Sequence, residues 1–312
     1  MSSGVSEIYE LYGRRYRSDV ELDLPGSPGE SYDVAIRWGA DILDSSAPPP
    51  GEVIASYASQ TTTWYVATAS VTCFVLRFPN VGEFIVARDL TEVIVRRDPS
   101  GQPELLPILL TGTLSAFLLA LSGETVLHAS AVEISGGALA FVGQSGRGKS
   151  TLAALLCVEL AHLVTDDVLV VRVDGGHATC LGGATELRLR PGSTTIADAR
   201  PDRPVRPTAD GRLAVTAPSA ASGTLPLSAI IIPTPSQDSR AVKMRQMAPA
   251  NALFMLLSIP RVYGWTLPEV LQRDFETLSR LVNRVPVFEA LVPWGPPFDP
   301  AIAAELAALA TR

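Results

Sequence analysis

The run Gly143-Gln144-Ser145-Gly146-Arg147-Gly148-Lys149-Ser150 constrains this chain more than any other stretch. Its G-x-x-x-x-G-K-S spacing demands a strand, a tight loop and a helix in that order. Backbone N–H groups converge on an anion only where side chains do not crowd them, which is what the glycines supply. Lys149 adds a point charge, and Ser150 a hydroxyl oxygen for magnesium. With 24 glycines but only two lysines in the chain, the pattern would arise by chance on the order of once in a thousand such chains. The flanks agree with it. Residues 138–142 are uniformly apolar and read as a buried strand, and 151–156 read as the start of a helix. Gly143, Gln144, Ser145, Gly146, Arg147, Gly148, Lys149, Ser150 and Thr151 are therefore the expected contacts for nucleotide phosphates.

A length of 312 residues with 47% apolar composition allows two domains, or one large domain with appendages, around an ample core. The formal charge of -7 excludes a general nucleic-acid binder, so nucleotide phosphates have to be captured by local dipoles. Cys73, Cys157 and Cys180 are widely spaced with no C-x-x-C, which fits a reduced, cytoplasmic protein. The start of the chain lacks a basic region followed by an apolar core, so no secretion signal is expected. Residues 105–123 carry no charged side chain and are rich in Leu and Ala. Pro107, Thr111, Gly112, Thr113 and Ser115 interrupt that run, which favours a buried core helix over stable membrane insertion.

Up to about residue 100, short runs alternate apolar and polar positions, at 33–38, 63–67, 71–78, 83–87 and 92–95. They predict a small antiparallel sheet, a β-rich N-terminal region over 1–100 suited to substrate recognition, with Ala47-Pro48-Pro49-Pro50-Gly51 as a stiff surface connection. The second domain is expected over 101–312. In it, 126–132 predicts one strand, Ser135-Gly136-Gly137 a hairpin turn, and 163–167 a strand ending in two acids. Between 191 and 226 the composition shifts to Pro, Ala, Ser, Thr and Arg, which predicts a long irregular insertion or lid. Strands at 227–232 and 285–291 and helices at 251–258, 267–282 and 300–310 complete the expectation.

Phosphoryl transfer needs positioned phosphates, a metal, and a group that orients or deprotonates the acceptor. Asp166 and Asp167, seventeen residues after Lys149 at a strand end, can supply the metal ligand and the base. Alternation says only that they point apart, leaving the division of labour open. The assignment adopted gives Asp166, supported by His128, the acceptor proton, and Ser150 with Asp167 the metal. Glu186 is a further metal candidate, and Arg188 and Arg190 would either offset transition-state charge or bind an acidic substrate. His162 and His177 read as ordinary structural residues.

The order of His128, the loop and the Leu163-Val164-Thr165-Asp166-Asp167 strand, over 127–173, resembles the catalytic domain of HPr kinase/phosphorylase and its relatives. Residues 9–24, Leu127 to Val132, Glu186 to Pro191 and Val285-Pro286-Val287-Phe288 are similar to HPr-kinase-related proteins of peptide natural products, including lasso-peptide kinases. The resemblance implies an α/β P-loop kinase core with a mixed sheet, on a fold related to phosphoenolpyruvate carboxykinase. It implies ATP and Mg2+ as cofactors and a serine of a peptide or small protein as acceptor. Homo-oligomer formation stays open. Two rival readings remain: a nucleotide-binding regulator or chaperone that transfers nothing, and a carboxykinase-like enzyme acting on a small metabolite.

Overall fold

A computed structural model describes residues 6–183, 186–220 and 223–308. The chain forms a mixed α/β structure in two compact units. One comprises Met1–Gly123 and Val262–Gln272, the other Glu124–Arg261 and Arg273–Arg312. The division differs from the expected boundary at 100/101, because residues 101–123 and a later excursion of the chain group with the N-terminal strands.

The first unit is built on eight strands: β1 (Glu7–Leu11), β2 (Arg14–Ser18), β3 (Val34–Trp38), β4 (Glu52–Ala58), β5 (Thr63–Ala69), β6 (Cys73–Phe78), β7 (Gly82–Ala87) and β8 (Glu92–Arg97). Their order is β1-β2-β3-β8-β7-β6-β5-β4. From β4 to β8 each strand pairs with its successor in antiparallel hairpins, but β3 runs parallel to both β2 and β8. The sheet is thus mixed where an antiparallel one was expected. Two connections produce this: residues 19–33 return the chain to start β3 parallel to β2, and residues 39–51, with Pro48-Pro49-Pro50, carry it from β3 to the far edge before it builds back to β8. The helical run Pro103–Leu121 is long and apolar enough to cross a membrane, yet most of it is buried inside the protein. Phe117 stacks on Trp265 and meets Phe74 edge-on, the packing of a core helix.

In the second unit the strands are β9 (Thr125–Leu127), β10 (Ala129–Ile134), β11 (Gly137–Val142), β12 (His162–Thr165), β13 (Leu169–Asp174), β14 (His177–Leu181), β15 (Glu186–Leu189), β16 (Val205–Pro207), β17 (Leu213–Thr216), β18 (Thr224–Ser236), β19 (Lys243–Gln246) and β20 (Val287–Pro293). The main sheet runs β12-β10-β11-β18-β14-β13-β9, with β20 beside the second half of β18 and β19 beyond it. Three strands, β11, β18 and β20, are parallel and central, which is why β11 is apolar on both faces. Its Ala138, Ala140 and Val142 pack on one side with Leu256 of helix Pro249–Leu257 and Leu281 of helix Pro268–Leu281. Its Leu139 and Phe141 pack on the other with Leu152 and Leu156 of helix Lys149–Cys157 and Leu306 of helix Ala301–Ala307.

Two departures from expectation shape the site. The single strand expected over 126–132 is broken at His128, with β9 pairing β13 while β10 pairs β11 and β12. Its neighbour breaks at the same level, between β12 and β13, where Asp166 and Asp167 lie. The stretch 191–226 is less irregular than its composition suggests: β16 and β17 pair antiparallel and join β15 in a three-stranded sheet. Among its prolines, Pro207 ends the edge strand β16, where a missing N–H costs no ladder bond. Residues 221–222 of that stretch, and the end of the expected terminal helix, fall outside the described residues.

Candidate functional site

The loop between β11 and helix Lys149–Cys157 turns through two glycines in the left-handed region, Gly146 at φ 86° and Gly148 at φ 82°. At Gly148 the requirement is doubled. A Cβ there would stand 2.1 Å from Cη2 of Trp294, at the end of β20, so the indole rests directly on the loop. Lys149 is buried, its Nζ donating to the Gln144 carbonyl at 3.1 Å. Burial pushes its pKa down to about 8, against the pull of Asp167 and Asp166.

Ser145, Gly146, Gly148, Lys149, Ser150 and Thr151 line a cavity of about 290 Å³ together with His128, Asp166 and Asp167. Arg188, Arg190 and Arg212 supply the remaining charge on its wall. Gly143, Gln144 and Arg147, expected among the phosphate contacts, line a different cavity on the other side of the loop.

The two aspartates are held in different ways. Asp166 is buried; its Oδ1 accepts the hydroxyls of Ser130 at 2.6 Å and Ser150 at 2.8 Å, and its Oδ2 the backbone N–H of Arg188 at 3.1 Å. Asp167 lies at φ 76°, an unfavourable conformation for a non-glycine residue that turns its side chain toward another set of partners. Its Oδ1 is 3.2 Å from His128 Nε2, and its Oδ2 accepts Arg261 Nη2 at 2.6 Å, with Arg188 Nη2 at 3.5 Å. Burial works against the charge on Asp167, but Arg261, His128 and Arg188 outweigh it and hold the carboxyl well below the usual range. Burial also lowers the pKa of His128 despite Asp167, so the imidazole is neutral at neutral pH and the short contact requires its proton on Nε2.

These contacts reverse the pairing adopted from the sequence. Ser150 meets Asp166, not Asp167, and His128 meets Asp167, not Asp166. The physical reason is the left-handed backbone at Asp167, which simple strand alternation does not anticipate. Glu186 is not brought to the cavity: its Oε2 pairs with Arg206 Nη2 at 2.7 Å. Arg190 reaches the loop, donating to Ser145 Oγ at 2.9 Å, while Arg188 and Arg212 share Asp210. Thr151 Oγ1 donates to Ser193 Oγ at 3.0 Å.

Ser130, Arg212, Arg261 and Trp294 were missed by sequence reasoning. Ser130 had a signal, since it stands two residues from His128 in a strand-like run and so shares its side. Arg261 and Trp294 had none, being brought in from the ends of distant elements.

Among the described residues no group of three or more His, Cys, Asp or Glu side chains is arranged as a metal cage. The oxygens that stand together are those of Ser150 and Asp166, a donor set suited to a hard cation that takes its other ligands from phosphate and water.

No protein-family model matches the chain, and no curated protein matches it. Among solved structures it is similar to the Hpr(Ser) kinase/phosphatase from Coxiella burnetii, at 13% identity and a TM-score of 0.31, over 59% of this chain and 93% of that one. The likeness is a distant structural relationship.

Proposed function

We propose that the second unit is an ATP- and magnesium-dependent kinase that phosphorylates a hydroxyl, a serine of a peptide or small protein. The observation that carries this reading is the meeting, on one cation-lined cavity, of the phosphate loop, the Ser150–Asp166 pair and the His128–Asp167–Arg261 cluster.

The loop amides and Lys149 would hold the phosphates, with Ser150 and Asp166 as the protein's ligands to magnesium. When bound, magnesium offsets charge on the transferring phosphoryl group. Asp167 would orient the acceptor hydroxyl and take its proton. A bond forms between the acceptor oxygen and the γ-phosphorus while the bond from that phosphorus to the bridging oxygen breaks, ADP leaves, and the proton ends on Asp167. Asp167 is a weak base, which the loose transition state of phosphoryl transfer tolerates, because little proton transfer is needed before the phosphoryl group has moved. His128 and Arg261 fix its orientation, and Lys149, Arg188, Arg190 and Arg212 offset developing charge.

A nucleotide switch that transfers nothing needs the loop and the metal ligands but gives no reason for the His128–Asp167–Arg261 cluster. The three arginines of the cavity lend some support to a carboxykinase-like reaction on a small carboxylate. Each is already engaged, however, Arg188 and Arg212 with Asp210 and Arg190 with Ser145.

The test is transfer of labelled phosphate from ATP to serine-containing peptides by the parent and by Lys149→Ala. Transfer by the parent, reduced about a hundredfold or more in the variant, is expected. Nucleotide binding with no transfer to any acceptor would instead favour the regulator.

A further inference from the structure

The loop is a wall between two cavities, and the reaction proposed above uses only one. The other, of about 470 Å³, begins at Gly143, Gln144 and Arg147. Its floor is apolar, made by Ile232, Met255, Ile259 and Leu291, with the small polar groups Thr234 and Ser258 among them. Its rim is charged. Arg245 pairs with Glu289 at 2.5 Å, so Arg147 and Lys243 give the rim a net positive sign on a chain that is acidic as a whole.

This second cavity is linked to Asp167, which lines the first, through two intermediaries, Arg261 and His128. Ile259, on its floor, lies two residues before Arg261, whose guanidinium holds Asp167. Gly143, at its start, donates its backbone N–H to the carbonyl of His128 at 3.3 Å, and the side chain of His128 reaches Asp167. A nucleotide does not account for the space. In the kinase reading, phosphates lying along the amides of Gly146 to Thr151 would leave the loop at Thr151, which lines the first cavity, and the nucleoside would continue from there. That leaves the Gly143 side open to the acceptor.

We propose that the second cavity holds the residues flanking the acceptor hydroxyl, an apolar side chain on the Ile232–Met255–Ile259 floor and a carboxylate against Arg147 and Lys243. The inference rests on the kinase reading and deepens it: the acceptor is a peptide segment in which the hydroxyl residue has an apolar and an acidic neighbour. The volume suits that occupant, lying in the range of sites that take one compact ligand of about 300–1,000 Å³ and exceeding the needs of one side chain.

The experiment is a positional-scanning library of synthetic serine peptides, phosphorylated with labelled ATP by the parent, Met255→Trp, Thr234→Trp and Lys243→Glu, with nucleotide affinity measured for each. The parent is expected to favour Leu, Ile or Met at one flanking position, and Asp or Glu at another, over Ala by about tenfold in kcat/KM, equivalent to ~1.4 kcal/mol. Either tryptophan variant should erase the apolar preference, and Lys243→Glu the acidic one, with nucleotide affinity unchanged. A parent with no flanking preference, or variants that keep it, would overturn the proposal. So would tryptophan variants that weaken nucleotide binding, because the cavity would then belong to the nucleoside. A parent that binds nucleotide but phosphorylates no peptide would overturn the kinase reading itself, and the subsite with it.

Discussion

Lys149 shows how one residue's surroundings set its chemistry. Burial lowers its pKa to about 8 even though Asp166 and Asp167 pull the other way, so the free protein keeps it charged at neutral pH but with little margin. Phosphate binds the charged form better, so binding is coupled to proton uptake once the free lysine begins to deprotonate. Nucleotide affinity should therefore be flat from about pH 6.5 to about pH 7.5 and fall as pH rises through about 8, by up to tenfold per pH unit. Binding of a non-hydrolysable nucleotide over a pH series checks this, and affinity that rises or stays level up to about pH 10 would contradict it. His128 makes a contrasting case: already neutral, it donates from Nε2 to Asp167 and contributes orientation without charge.

At the scale of elements, the site depends on three strand ends and one close packing contact. The glycine–lysine loop, the paired aspartates and His128 could be singled out from the sequence because the chemistry proposed for them demands fixed residue types at fixed spacing along the chain. The division of labour between Asp166 and Asp167 could not, because it hangs on one left-handed φ at Asp167. Nor could the break at His128, where apolar runs on both sides read as a single strand. Trp294 was invisible because its contact with Gly148 exists only once β20 lies beside β18 in the sheet. That contact can be tested by a double-mutant cycle. Gly148→Ala should weaken nucleotide binding by about a hundredfold or more, combining backbone strain with the clash against the indole. In a Trp294→Ala background the same change should cost about tenfold, the 1–2 kcal/mol of the left-handed backbone alone. Equal penalties in both backgrounds would mean that the indole does not press on the loop.

Across the whole molecule, the proposed chemistry falls within the second unit, since every residue lining both cavities lies within Glu124–Arg261 or Arg273–Arg312. The chain is acidic overall, yet the cavity beside the loop is walled by Lys149, Arg188, Arg190 and Arg212, so the proposed capture of an anion there would depend on local placement and not on net charge. Composition does not foretell the grouping of the chain, because residues 101–123 and 262–272 join the first unit through packing that no local pattern records. The central claim is that one aspartate serves the metal and the other the acceptor. Magnesium-dependent nucleotide binding and phosphate transfer, measured side by side in Asp166→Asn and Asp167→Asn, test it most directly. The predicted result is that Asp167→Asn binds nucleotide with the parental response to magnesium but turns over about 10²–10⁴-fold more slowly, while Asp166→Asn loses the magnesium response. Parental turnover by Asp167→Asn, or loss of the magnesium response in that variant and its retention in Asp166→Asn, would contradict it.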